Sequence, residues 1–134
     1  MIQYTKTHEL AGFSQAREGD AGWDLVACSH YATVDGKHYY DTGIRASIPK
    51  GYVGLLIARS SIVRKEATLS NSVGVIDSNY RGNIVAVFTA PSQPYKVGER
   101  CCQLVVVPCL SLAEEVENLD ETNRNQQGFG SSGA

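Results

Sequence analysis

A carboxylate, a phenol ring and a guanidinium (Asp77, Tyr80 and Arg81) fall within five positions of the stretch GVIDSNYRGNI, residues 74–84. An apolar run precedes them and another follows, which predicts the bend of a β-hairpin. Bends are ordinarily filled by small polar residues, so this one is either a polar turn, with Asp77 capping its own chain reversal, or a site. A second concentration lies near the end of the chain, where GFGSSG sets a lone Phe129 between glycines and ahead of two hydroxyls, with Arg124 upstream. Such a tail can close over an anion, the glycines allowing backbone approach, Ser131 and Ser132 donating, and the ring serving as a lid. The plainer alternative is a tail that never orders, because DETNRNQQGFGSSGA has no aliphatic side chain larger than alanine to bury.

The elements that must position these residues are short and rich in β-formers. YATVDGKHYY predicts a hairpin turned at Asp35 and Gly36, a pair that tolerates the positive φ angles of a type I′ turn. In TGIRASI, Ile44, Ala46 and Ile48 alternate with Arg45 and Ser47, the period of a half-buried strand, and PKG at 49–51 ends it. YVGLLIA and NIVAVFTA are nearly continuous apolar runs and predict strands covered on both faces, with subunit contacts supplying cover that a small sandwich lacks. CCQLVVVPCLSL predicts a further strand with Pro108 at an edge or bend. SSIVRKEATL, residues 60–69, is the best helix candidate, capped by Ser60 or Ser61. Together these segments read as an all-β sandwich or barrel. The composition changes after about Asn118, where the polar tail begins.

A chain of 134 residues is expected to form one domain with a core of its own. The formal net charge of −2 argues against a general nucleic-acid binder, so an anionic ligand must be met by local charges or by a metal. Cys28, Cys101, Cys102 and Cys109 fit no metal-ligand spacing and are expected as buried free thiols. No run of about 18 apolar residues occurs, so neither a signal peptide nor a membrane span is expected. The expected location is intracellular and cytoplasmic, or nuclear or within an infected cell if the source is eukaryotic or viral.

Five segments, in order, resemble the five motifs of the homotrimeric dUTP diphosphatases, the dUTPases: AGWDLVA (21–27), ARSSIVRKEA (58–67), NSVGVIDSNYRGNI (71–84), GERCCQLVVVP (98–108) and RNQQGFGSSG (124–133). The resemblance runs almost end to end. It implies a jelly-roll-like β-barrel core at 1–118, a flexible C-terminal arm at 119–134, and three protomers about a threefold axis with active sites shared between subunits. It also implies hydrolysis of dUTP to dUMP and pyrophosphate with Mg²⁺, the ion being held through substrate phosphates and water with no direct protein ligand. The reaction limits uracil incorporation into DNA and supplies dUMP for thymidylate synthesis.

By the same resemblance Asp77 is the base that orients and deprotonates the water attacking the α-phosphorus, and Arg124 neutralises phosphate charge as arginine fingers do. Tyr80 packs on deoxyribose and excludes a 2′-hydroxyl. The backbone from Asn71 to Tyr80, including Gly74 and Ile76, reads the uracil edge with help from the Asn71 side chain. Arg59, Ser60, Ser61 and Gln103 face the phosphates, with Ser61 standing where the family usually has glycine. Phe129 covers uracil, Gly130 follows it, and Ser131 and Ser132 donate to the γ-phosphate. Asp24 and Arg81 support the site and Trp23 packs. Asn125, Gln126 and Gln127 stand where glycines are commoner, which implies a stiffer or less closely wrapped arm.

Two other readings compete. A dCTP deaminase relative needs a glutamate beside the base, and none occurs between Leu69 and Lys96. A regulatory or binding protein on the same fold would have lost turnover, yet Asp77, Tyr80, Arg124 and Phe129 are all present. An additional protein partner would leave no recognisable mark; VDGKHYYDTG, 34–43, reads as the exposed hairpin that would meet one.

Overall fold

The structure is a computed structural model that describes residues 1–130 and Gly133, so Ser131 and Ser132 lie outside the described residues. Along the chain run β1 (Gln3–Lys6), β2 (Phe13–Ser14), β3 (Trp23–Val26), β4 (Ser29–Val34), β5 (Lys37–Asp41), β6 (Ile44–Ser47), β7 (Tyr52–Ala58), β8 (Thr68–Leu69), β9 (Gly74–Ile76), β10 (Val85–Thr89) and β11 (Arg100–Pro108). One sheet has the order β4-β5-β10-β8, a second β2-β3-β11-β7-β9, and β1 pairs with β6 separately. The arrangement is all-β and jelly-roll-like, but its sheets do not close, so the expected barrel is open.

The alternation read in TGIRASI holds, with Ile44, Ala46 and Ile48 buried and Arg45 exposed. The β4–β5 turn is the expected two-residue one: Val34 pairs with Lys37, and Asp35 and Gly36 have φ of 51° and 74°. Leu25, Ile44, Phe88 and Leu104 fill the core between the sheets. Tyr40 joins them, its hydroxyl donating to the Tyr95 carbonyl at 2.8 Å and accepting the Tyr95 N–H at 3.1 Å. Burial pushes the Tyr95 phenol up to about 12. Pro108 is the last residue of β11, beyond the part that pairs with β3, where a missing N–H costs no ladder bond on that side.

Five expectations change. Residues 74–84 are not a hairpin: β9 pairs with β7 in one sheet while β10 pairs with β5 and β8 in the other, so the segment crosses between sheets. The helix candidate contributes only a 3₁₀ stretch, Ser60–Arg64, without a side-chain cap, and Thr68–Leu69 is strand. Ile62 and Val63 are β-branched and Val63 is exposed, so no apolar helical face exists to drive a longer helix. The 34–43 segment is not an exposed handle, since Tyr40 and Thr42 are fully buried and only its tip projects. Cys28, Cys101 and Cys102 are buried thiols but Cys109 is exposed, because β11 has ended. Finally, β7 is covered on one face: Gly54 and Leu56 are buried while Val53, Leu55 and Ile57 are only partly so.

Candidate active site

Two groups of the predicted residues assemble at opposite ends of β7. At one end, Asp77 follows β9 directly; Ile76 pairs with Gly54, which sets Asp77 at the level of Val53. The reversal after it is held by main chain, the Tyr80 N–H donating to the Asp77 carbonyl oxygen at 3.1 Å. Among the described residues the exposed Asp77 carboxylate makes no hydrogen bond or ion pair, so it is not the cap of its own turn. Asp77, Tyr80, Ile76, Val75 and Asn83 line a cavity of about 190 Å³. Gly74 is buried against β7, where a Cβ would come within 3.1 Å of the Leu56 Cβ, and the Asn71 amide lies beside it. Arg81 folds back over the reversal, donating to the carbonyls of Ser78 at 2.7 Å and Tyr80 at 3.0 Å.

At the other end, β3, β11 and the end of β7 bring Asp24, Gln103 and Arg59 together. Gln103 pairs with both Asp24 and Ile57 across the ladders. Asp24 Oδ1 accepts Arg59 Nε at 3.1 Å, and its Oδ2 lies 3.5 Å from Arg100 Nη1. The pair is partly solvated, so its worth is orientation more than stability. Arg59 also reaches Ser61 Oγ at 3.5 Å and the Arg100 carbonyl at 3.4 Å. Gln103 Nε2 donates to the Ala58 carbonyl at 3.0 Å. Its side chain passes over Gly22, where a Cβ would collide with it. Ser60 is exposed at the start of the 3₁₀ stretch. Beneath this group the Cys102 thiol is pushed well above its ordinary value by the hydrogen bond with Cys101 and by burial, so it stays protonated and unreactive.

The tail joins neither group through any hydrogen bond or ion pair among the described residues. Arg124 Nε donates to the Gln127 carbonyl at 2.6 Å, and Thr122 and Asn125 exchange two side chain to main chain bonds. Asn125, Gln126 and Gln127, which stand where glycines are commoner, lie in a turn that the Gln127 N–H closes onto the Arg124 carbonyl at 3.1 Å. Phe129 is fully exposed, with Gly130 after it at φ 79°. Trp23 packs as expected, stacked on Phe13 at 5.0 Å. The sequence reading missed Arg100, Gly22, Gly82 and Asn83. For Arg100, Gly22 and Gly82 an arginine or a glycine inside a matched segment was the only signal, and Asn83 had none.

The dUTPase family model matches residues 9–133. The chain belongs to the dUTPase family. A deoxyuridine 5′-triphosphate nucleotidohydrolase of Cutibacterium acnes is 41% identical over 125 residues, covering 88% of this chain and 82% of the relative. That of Escherichia phage T5 is 37% identical over 147 residues, covering all of this chain and 99% of the relative. Among solved structures, a Staphylococcus bacteriophage 80alpha dUTPase G164S mutant with dUpNHpp superposes with a TM-score of 0.87 at 25% identity, covering 100% of this chain and 99% of that one. No helix of this dUTPase-family chain among the described residues is long and apolar enough to cross a membrane.

Proposed function

We propose that this chain hydrolyses dUTP to dUMP and pyrophosphate, with Asp77 as the base that takes the proton of the water attacking the α-phosphorus. The observation that carries the reading is the cavity shared by an unpartnered Asp77 carboxylate and the Tyr80 ring. A carboxylate free of internal hydrogen bonds keeps its lone pairs for water, and a ring against the sugar leaves no room for a 2′-hydroxyl. The Asn71–Tyr80 backbone, with Gly74 and Ile76, reads the uracil edge, and Arg81 stiffens the reversal. Arg59, Ser60, Ser61 and Gln103 bind phosphate oxygens, while Asp24 orients Arg59. Arg124 adds charge at the phosphates, Phe129 with Gly130 covers the base, and Ser131 and Ser132 donate to the γ-phosphate. Residues 1–118 act as the core and 119–134 as the arm.

The donor set fits a Mg²⁺ ion carried by the triphosphate and water, since the Asp24 oxygens are already engaged by Arg59 and Arg100. When bound there, the ion neutralises phosphate charge. The active site is completed between subunits of a homotrimer. From Val53, level with Asp77, to Arg59 the extended chain advances six residues, about 20 Å at the rise of a β-strand. Three linked phosphates are much shorter than that, so the Asp77 and the Arg59 that serve one substrate belong to different chains. In the cell the reaction keeps uracil out of DNA and supplies dUMP for thymidylate synthesis.

Pyrophosphate release from dUTP, dTTP, UTP and dCTP, with Mg²⁺ and with EDTA, tests the reading. Turnover of dUTP is expected to exceed the others by orders of magnitude and to stop in EDTA. Comparable rates on UTP would remove the role given to Tyr80, and a uracil product from dCTP would replace the reading with deamination.

A further inference from the structure

Asn83 is the most heavily bonded side chain of the 77–84 crossover. Its Nδ2 donates to Asp41 Oδ1 and Oδ2 at 3.1 and 3.0 Å and to Thr7 Oγ1 at 3.2 Å. Its Oδ1 accepts Arg45 Nε at 2.7 Å. Both ends of the amide are thereby engaged, by residues from β5, from β6 and from the turn after β1. Asp41 is itself oriented, because its Oδ1 also accepts the Gly43 N–H at 2.7 Å. The main-chain carbonyl of Asn83 then accepts the Tyr80 hydroxyl at 2.8 Å. Between the two, Gly82 lies under the phenol, and a Cβ on it would come within 2.7 Å of Tyr80 Cζ. The ring is laid on a bare backbone and tethered at its far end to a residue fixed by three others.

We propose that Asn83, held by Asp41, Arg45 and Thr7, is a positioning residue that sets the angle of the Tyr80 ring and thereby the discrimination between deoxyribo- and ribonucleotide substrates. The proposal rests on the reading of the site as a dUTP site. Rejecting a ligand for one extra hydroxyl requires a wall that does not yield by the width of an oxygen atom. Tyr80 is 43% exposed, so burial does not immobilise it. The hydroxyl tether does, and the tether is only as fixed as residue 83. Loss of the Asn83 amide leaves that peptide held only through the Ile84 N–H, which donates to the Ile44 carbonyl at 2.8 Å, and leaves the Asp41 carboxylate and the Arg45 guanidinium without the group that joins them. The ring can then tilt and admit a ribose.

The test compares kcat/KM for dUTP and UTP in the wild type, Asn83→Ala and the isosteric Asp41→Asn, which keeps its shape and an oxygen for the Gly43 N–H but puts an NH2 in place of the Oδ2 that accepts from Asn83. In Asn83→Ala the dUTP to UTP ratio is expected to fall about tenfold or more, a modest part of the selectivity such a site can hold. The change should lie mostly in KM, with kcat on dUTP within a few-fold of wild type. Asp41→Asn should move the ratio the same way by less, and the double variant should be no worse than Asn83→Ala because the two act through one bond network. Equal losses on both substrates, as a merely structural residue would give, overturn the proposal and leave the dUTP reading standing. If Asn83→Ala does not fold, an unmoved ratio in Asp41→Asn overturns it. A wild type inactive on dUTP removes the reading and the proposal together.

Discussion

At the scale of the residue, Asp77 is distinguished by what it does not bond. An aspartate in a chain reversal usually takes a nearby N–H onto its side chain. Here the Tyr80 N–H goes to the Asp77 main-chain oxygen instead, and the carboxylate faces the cavity. The turn does not need the carboxylate, so Asp77→Asn removes the base without loosening the loop. Its kcat on dUTP is expected to fall about 100-fold or more, while the affinity for a non-hydrolysable dUTP analogue and the melting temperature stay near wild type. Near-normal turnover would leave Asp77 as a turn residue only. Tyr80 differs from Asp77, because its geometry depends on neighbours that carry no chemistry: Gly82 beneath the ring and Asn83 at its hydroxyl.

At the scale of the element, the site loops hang from two sheets, and the Tyr40, Phe88 and Tyr95 cluster ties β5 and β10 of one of them to the loop between β10 and β11. Tyr40→Phe keeps the ring but leaves the buried Tyr95 N–H without its acceptor; the Tyr95 carbonyl still receives Gln93 Nε2 at 3.0 Å. One orphaned buried donor costs about 1–3 kcal/mol. A urea midpoint lowered accordingly at unchanged m-value is the expected outcome, measured at matched protein concentration. No loss would mean that the N–H finds another partner. The strands themselves were legible in the sequence, since alternation in TGIRASI and the Asp35-Gly36 turn depend on local residues. Which strands pair was not, and the 74–84 segment shows why: apolar run, polar turn, apolar run describes a hairpin and a crossover equally well. The Gly22 and Gln103 contact was hidden for the same reason, as it needs the β3 and β11 register, which no short stretch of sequence contains. The family was legible through the motif segments, all of which lie within the matched residues 9–133, whereas the Asn83 network had no signal until Asp41, Arg45 and Thr7 were folded around it.

At the scale of the whole molecule, one chain presents the parts of a site without assembling them. The face of β7 turned away from the core carries Val53, Leu55 and Ile57, and beside it Val75 of β9 is 62% exposed. Apolar strands left open in this way gain from burial against further copies of the same chain. The length of β7 sets Arg59 about 20 Å along from the level of Asp77, which follows the neighbouring β9, so a trimer that covers the face can also bring the two together from neighbouring subunits. Mixing two inactive chains tests this directly. Asp77→Asn supplies an intact Arg59 and Arg59→Ala supplies an intact Asp77; the two are denatured together in equal amounts and refolded. In a ring of three, every mixed trimer has one site that takes both good residues from adjacent chains. Random assembly makes about three quarters of trimers mixed, so roughly a quarter of all sites should recover activity. If both residues of a site came from one chain, each site would keep one defect and nothing would recover. An inactive mixture whose mixed trimers are seen by native mass spectrometry therefore refutes the shared site, and leaves the dUTP chemistry at Asp77 to be judged by its own variant.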